Sequence, residues 1–132
     1  MGVLALNGLN ACDRIIIPMQ CEPYSLEGVA ELIATVKRVK KTSNRNLQIM
    51  GIVFTMVDGK LKVNREVMRT IKSKFSEDTF FHTEIPRNVK ITEAPSHGEP
   101  IMYYDASSKG AEAYARLAKE IARKCKAMEE ML

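Results

Sequence analysis

Apolar runs alternate along the chain with stretches in which apolar residues recur every three or four positions. This alternation predicts strands separated by helices. Short apolar runs, typical of buried strands, lie within residues 13–18 and 47–56, and residues 79–85 are predicted to form a third strand. Apolar residues recur every three or four positions from residue 25 to about residue 41 and again over 64–75, which predicts two amphipathic helices. Residues 1–11 fit a further helix. Strands joined by helices of this length favour an α/β fold, three-layered with a mostly parallel sheet.

Several details of this pattern can be tested against a structure. The run over 13–18 predicts a strand buried on both faces and ended by Pro18. Residues 101–104 are expected to be a short strand or an extended segment, and residues 105–108 to begin the last helix. An apolar stripe on that helix is expected to pack on the sheet; its members are Tyr114, Ala118, Ile121, Cys125 and Met128.

The stretch over residues 85–100 is too rich in proline to be periodic. Its three prolines fix φ, and Gly98 offers a position where φ can be positive, so the backbone is expected to be a shaped loop. Pro86 and Asn88 can present a ring edge, a carbonyl and an amide to a flat polar ligand, with Arg87 beside them. The alternative is an ordered connection between two strands.

Composition limits the classes of protein. A chain of 132 residues with 45% hydrophobic content is expected to form one domain over residues 1–132. Its formal charge of +4 permits contact with nucleic acid without requiring it. Cys12, Cys21 and Cys125 are an odd number without metal-ligand spacing, so we expect reduced core thiols, no disulfide framework and no metal site. Without a long apolar run or a signal segment, a soluble intracellular protein is expected.

Candidate chemistry is sparse. The phosphate-binding pattern GxxxxGK[ST] is absent, because the pair Gly59-Lys60 has Phe54 in place of the first glycine and Leu61 in place of Ser or Thr. His82 and His97 have no nucleophile at a supporting spacing, so no catalytic residue is proposed. Sequence alone favours solvated surface lysines at Lys60 and Lys90.

Long motifs change this picture. The strings IPRNVKITEAPSHGEPI and YYDASSKGAEAYARLAKEI follow LALNGLNACDRIIIPMQCEPYSLEGVAELI and GIVFTMVDGKLKVNREVM. In this order they resemble the C-terminal part of the ParA/Soj chromosome- and plasmid-partitioning ATPases, relatives of MinD in the deviant Walker P-loop class. The resemblance covers nearly the whole chain. It implies the C-terminal half of a P-loop NTPase-like fold, with the P-loop half lacking.

The resemblance also implies a nucleotide site. Met56, Pro86 and Asn88 would lie against adenine, with Arg87 adding charge, while Asp58 would orient its loop or accept from the ligand. Turn formation is the first interpretation of Asp58, since Asp-Gly is common in turns. ATP and Mg²⁺ would bind the full-length protein and not tightly this chain, which should be inactive alone because it lacks the phosphate-binding loop.

Family members further imply partners. Lys60 and Lys90 match basic positions that contribute to nonspecific DNA binding by an ATP-bound homodimer, and a ParB-like centromere-binding protein would stimulate hydrolysis. A cytoplasmic, nucleoid-associated location follows. Membrane binding by the last helix is not expected, because its apolar stripe contains alanines and no Trp or Phe. The alternatives are a non-enzymatic nucleic-acid or protein-binding module with a vestigial nucleotide pocket, and self-association through an exposed sheet edge.

Overall fold

Helices and strands alternate along residues 2–131, which the computed structural model describes. The helices and strands are, in order, α1 (Val3–Ala11), β1 (Arg14–Gln20), α2 (Ser25–Thr42), β2 (Gln48–Thr55), α3 (Lys62–Lys74), α4 (Val89–Glu93), α5 (Ile101–Tyr104) and α6 (Lys109–Glu130). Single 3₁₀ turns cover Glu77–Thr79 and Ala94–His97. Within this part of the chain no helix combines the length and apolarity needed to cross a membrane.

The sheet is parallel, as predicted. β1 pairs in parallel with β2 after the α2 crossover. On the other side of β2, two isolated parallel bridges join Ile52 to Phe80 and Val57 to Pro86. The predicted continuous strand over 79–85 is therefore wrong. Its middle residues leave the ladder because a carboxylate from α6 takes their N–H groups, as described below.

Helices cover both faces of β2, which gives the predicted three layers. On one face Ile52 and Phe54 belong to a cluster with Val29 of α2 and Ile71 of α3. On the other face Met50 and Val53 join a cluster with Ala113 and Leu117 of α6 and with Phe81 and Ile85; all of these are buried. β2 is thus the strand around which the apolar core is built.

An extra residue in β2 sets which side chains face α6. The register with β1 passes from Ile49 directly to Gly51, so Met50 is the additional residue of a β-bulge. A bulge takes a backbone group out of the ladder, and the Met50 carbonyl accepts a hydrogen bond from Lys124 Nζ at 3.3 Å. Gly51 then faces Phe81, where an added Cβ would lie 2.9 Å from the ring.

β1 corrects two expectations. It is buried on one face only, because Ile17 and Met19 are buried whereas Ile16 and Pro18 are exposed. The strand also continues through Pro18 to Gln20. Among residues 2–131, β1 pairs only with β2 and is therefore an edge strand. Proline is tolerated on an edge strand because its missing N–H is not needed on the unpaired side.

The segment after β2 and α3 is more helical than predicted. Residues 101–104, expected to be extended, form α5, whose Tyr103 and Tyr104 N–H groups both bond to the Pro100 carbonyl. Within 85–100, α4 and a 3₁₀ turn replace most of the expected loop. Gly98 has the predicted positive φ, at 66°.

The buried face of α6 is rotated from the predicted stripe. Ile121, Cys125 and Met128 pack on the sheet as expected, whereas Tyr114 and Ala118 are exposed. Leu117 and the carboxylate residue Glu120 are buried instead.

The cysteines are all free thiols, but they are not equally buried. Only Cys21 is fully buried, and burial raises the pKa of its thiol from 9.0 to about 11, with Glu84 adding to the rise and Lys72 opposing it. Cys12 and Cys125 are half-buried, so the predicted core location holds fully for Cys21 alone.

Candidate functional site

The end of β2 and the loop that begins at Ile85 meet at one edge of the sheet. The Val57 N–H donates to the Ile85 carbonyl at 3.0 Å, and the Arg87 N–H donates to the Val57 carbonyl at 3.0 Å. Carboxyl ends of parallel strands are where open α/β sheets bind ligands. Two segments about 30 residues apart in sequence are therefore held side by side at such an end.

A cavity of about 220 Å³ opens between these two segments. Four of the predicted ligand-binding residues line it, namely Met56, Pro86, Arg87 and Asn88. Five residues complete the lining, namely Thr55, Ile85, Ile91, Thr92 and Tyr114. Tyr114 reaches the cavity from the first turns of α6, which no local periodicity in the sequence indicates. Its apolar spacing instead suggested a place in the core.

Met56, which lines this cavity, has an unusual backbone conformation. Its φ is +51°, and it is the only non-glycine residue among 2–131 with a positive φ. The left-handed region costs an L-residue roughly 1–2 kcal/mol, and such strain is concentrated at functional sites. The Met56 side chain is 48% exposed, so core packing does not explain the strain.

Asn88 has two distinct ends. Its Oδ1 accepts from the Lys90 N–H at 3.0 Å and caps α4. Among the described residues, no hydrogen bond engages its side-chain NH₂ group, which remains free to donate. Gly110 permits the close packing of α6 here, because an added Cβ would lie 2.4 Å from Ile91 Cγ1 and 3.4 Å from Asn88 Oδ1.

Asp58 is not brought into the cavity. Its Oδ1 accepts from the Lys60 N–H at 3.0 Å, and its own N–H donates to Asn64 Oδ1 at 3.0 Å. These are the contacts of an Asx turn that leads into α3, so the geometry agrees with the turn interpretation.

The two candidate DNA-binding lysines follow the two joined segments. Lys60 is exposed, and no ion pair to it is found within residues 2–131. Lys90 Nζ lies 3.5 Å from Glu93 Oε2, which also accepts from the Tyr104 hydroxyl at 2.8 Å. The hydrogen bond from Tyr104, aided by Lys90, lowers the pKa of Glu93. The Lys90 charge is therefore partly compensated, whereas that of Lys60 is not.

Metal ligands do not converge anywhere in the part of the chain that is described. No group of three His, Cys, Asp or Glu side chains is placed to hold an ion within residues 2–131.

The known proteins that this chain resembles include partitioning proteins. Residues 1–49 match a family model described as an AAA domain. The sporulation initiation inhibitor protein Soj of Bacillus subtilis is 47% identical over 122 residues, which cover 92% of this chain and 48% of that protein. The chromosome-partitioning ATPase Soj of Treponema pallidum is 50% identical, and the chromosome partitioning protein ParA of Caulobacter vibrioides is 38% identical, each over 121 residues. These cover 92% of this chain and 47% and 45% of the relatives.

Solved structures of cobyrinic acid a,c-diamide synthase from Mycobacterium smegmatis share the fold. The form with bound ADP and magnesium superposes with a TM-score of 0.73 at 30% identity, covering 95% of this chain and 44% of that one. The form with a bound ATP analogue and magnesium gives a TM-score of 0.71 at 30% identity, with 95% and 43% covered.

The fold defines an α/β protein with a parallel sheet, similar to part of a P-loop NTPase-like fold. Over about 92% of its length the chain is similar to the Soj and ParA partitioning proteins, with 38–50% identity. It spans about half the length of these curated relatives.

Proposed function

We propose that this chain is part of a Soj/ParA-type partitioning ATPase, in which it supplies the adenine side of the ATP site and a surface for nonspecific DNA. The adenine-side assignment rests on one observation. Met56, Pro86 and Asn88 line the same 220 Å³ cavity at the carboxyl end of β2. Chromosome or plasmid segregation is the process in which such a protein would act.

The cavity fits a purine base better than a charged group. Pro86, Ile91 and the Met56 thioether offer apolar surface for the faces of a flat ring. The free NH₂ group of Asn88 can donate to a ring nitrogen, since its oxygen is already occupied by the cap of α4. Arg87 adds a positive charge on the same side. Small-molecule sites generally combine apolar walls with a few such polar groups.

Phosphate and Mg²⁺ binding are assigned to the full-length protein and not to these residues. The sequence has no GxxxxGK[ST] loop, and positioning by such a loop is most of the catalysis in phosphoryl transfer. Tight binding of ATP and hydrolysis by this chain alone are therefore not expected. In the full-length protein, ATP would support a homodimer, and a ParB-like centromere-binding protein would stimulate hydrolysis.

The second half of the proposal concerns Lys60 and Lys90. The bridge between Val57 and Pro86 joins the segments that Lys60 and Lys90 follow, and on the proposed function both charges would lie on one rim. Such a rim can contact phosphates without reading base sequence. A non-enzymatic nucleic-acid or protein-binding module with a vestigial pocket is the competing function, and it would retain DNA binding without any response to nucleotide.

The base-side assignment is tested by titrating the chain with adenosine, with guanosine as the matched control, and following backbone amide shifts by NMR. We expect adenosine to perturb Met56, Asn88 and Tyr114, with ATP binding no more than a few-fold tighter because the phosphates find no loop. Guanosine should leave these amides in place. Equal responses to the two nucleosides, or none, would remove the adenine assignment.

A substitution separates the two roles of Asn88. Asn88→Asp and Asn88→Ser both retain an oxygen that can cap α4, but both lack the NH₂ donor. We expect either variant to keep the helical circular dichroism signal and to lose the adenosine response. Unchanged adenosine binding in both variants would show that Asn88 does not contact the base.

A further inference from the structure

Four basic side chains form one line along the exposed face of α6. They lie at intervals of three, four and three residues and are Arg116, Lys119, Arg123 and Lys126, which we name the α6 basic stripe. Such spacing places them on one side of a helix. Ten residues of α-helix extend about 15 Å. No ion pair to any of the four is found within residues 2–131.

Three members of the stripe also line a cavity. It measures about 610 Å³ and lies between α6 and residues 82–84 at the side of the sheet, with Arg116, Lys119 and Arg123 on the helix side. The stripe therefore borders a recess and is not simply the outer surface of a convex helix.

Two carboxylates share this cavity, and neither pairs with the stripe. Glu84 Oε1 lies 3.6 Å from Lys72 Nζ. Glu120 is 5% exposed, and its two oxygens accept from the His82 N–H at 2.6 Å and the Thr83 N–H at 2.9 Å. The negative charge is thus directed toward the backbone and toward Lys72, while the three cations of the helix face outward.

We propose that the α6 basic stripe is a second DNA-contact surface, which grips the phosphate backbone of a duplex along α6. This inference rests on the proposed function, because it extends DNA binding beyond Lys60 and Lys90. The phosphates of one strand advance about 3.4 Å each along the duplex axis, so a stripe of about 15 Å matches four or five of them. Lys and Arg contacts to phosphate carry no sequence preference.

The surroundings of the stripe favour DNA over a protein partner. Protein interfaces depend on buried aromatic or aliphatic anchors. The exposed positions between the cations are the small residues Ala118 and Ala122, and no large apolar side chain of α6 is exposed between Arg116 and Lys126. Small side chains allow a phosphate backbone to come close, but they offer no anchor for an acidic peptide.

The stripe lies on a different element from Lys60, which precedes α3, and from Lys90, which lies in α4. The Tyr114 end of α6 borders the 220 Å³ cavity at the carboxyl end of β2. Further along, Lys124 bonds to the Met50 carbonyl near the beginning of β2. The stripe therefore extends from the nucleotide side of the sheet toward the opposite end, where it can lengthen a DNA footprint.

The test compares three variants of the whole chain by fluorescence anisotropy on a short duplex, between about 50 and 200 mM salt. The stripe variant is Arg116→Gln, Lys119→Gln and Arg123→Gln. The rim variant is Lys60→Gln and Lys90→Gln. The control is Lys37→Gln, Lys40→Gln and Lys41→Gln, which removes three exposed charges from α2. We expect the stripe variant to lower the slope of log K against log salt by about 2 to 3 and the rim variant to lower it by about 2, each beyond any change in the control.

Each outcome decides a different claim. A stripe variant whose salt slope equals that of the α2 control overturns the inference. If the rim variant then has a lower slope, the proposed function still stands. A lower slope in the stripe variant with an unchanged slope in the rim variant supports the inference and removes Lys60 and Lys90 from the proposed DNA contacts. Failure of the unaltered chain to bind duplex overturns the second surface. Polyglutamate, titrated in place of the duplex, tests the acidic-peptide alternative, and a stripe variant that loses polyglutamate binding but keeps DNA binding also overturns the second surface.

Discussion

Glu120 acts as a strand partner although it is a helix residue. Its carboxylate accepts from two consecutive backbone N–H groups, at His82 and Thr83, where the sheet would otherwise need another strand. Burial would raise the pKa of Glu120, but hydrogen bonds from the Thr83 side chain and from both N–H groups outweigh it. The pKa therefore lies below its ordinary value of 4.5.

Glu120→Ala should destabilise the fold by about 1–3 kcal/mol at neutral pH, because it leaves two N–H groups without an acceptor. Urea unfolding followed by circular dichroism measures the effect. Glu129→Ala, an exposed acid on the same helix, should remain within about 0.5 kcal/mol of the unaltered chain. Equal stabilities for Glu120→Ala and the unaltered chain would show that the carboxylate is not holding the edge.

The same carboxylate sets a pH dependence. A pKa lowered by folding means that the unfolded chain takes up a proton first as pH falls, so the stabilisation is complete above 4.5 and is lost as pH drops through the lower folded value. The gap in stability between the unaltered chain and Glu120→Ala should narrow over that range.

Single residues of the site were predictable only when they lay in a recognisable motif. Met56, Pro86, Arg87 and Asn88 line one cavity, and their contact with a nucleotide stays a prediction. Tyr114 was missed, since its position depends on how α6 docks on the sheet and not on its neighbours in sequence. A buried carboxylate such as Glu120 has no signal in an apolar pattern, because its partners are backbone groups 37 and 38 residues away.

At the level of elements, the contact between α4 and α6 depends on one missing side chain. Gly110 lies in the first turn of α6, where a Cβ would come within 2.4 Å of Ile91 Cγ1. Ile91 also lines the 220 Å³ cavity. The distance between these helices therefore affects both stability and the shape of the site.

Gly110→Ala should cost about 1–2 kcal/mol in urea unfolding, since overpacking outweighs the better helix propensity of alanine. Gly28→Ala is the matched control, because no atom lies within 4 Å of its added Cβ in α2. It should stabilise by about 0.5–1 kcal/mol. Adding Ile91→Ala to Gly110→Ala should recover part of the loss. A stabilised Gly110→Ala would contradict the close packing.

Periodic elements were predicted well, and short ones were not. Three predicted elements correspond to α2, α3 and β2. Each is long enough for its apolar pattern to be recognised in the sequence. Residues 101–104 are four apolar residues whose strand propensity is overridden by the Pro100 carbonyl and by the Tyr104 hydrogen bond to Glu93. The stretch over 79–85 looks like a strand, but α6 interrupts its ladder.

Across the whole molecule, the parallel order of the sheet followed from the alternation of strands and helices. The one-sided burial of β1 did not, because an apolar run such as Ile15 to Ile17 reads the same whether one face or both are covered. Charge distribution was visible in spacing and not in composition. The formal charge of +4 does not locate the cations, whereas the spacing of Arg116, Lys119, Arg123 and Lys126 places them mainly off the apolar stripe of the last helix.

The two N–H groups held by Glu120 make adjacent amides report on different motions. The Phe81 and Ile85 N–H groups bond to β2 carbonyls, so their hydrogen exchange requires the sheet to open. Exchange at His82 and Thr83 requires only that α6 lift away. Native-state exchange measured by NMR should give lower opening free energies at 82 and 83, whereas equal values would mean that helix and sheet open together. Four amides within residues 81–85 thus record the undocking of α6 separately from the unfolding of the core.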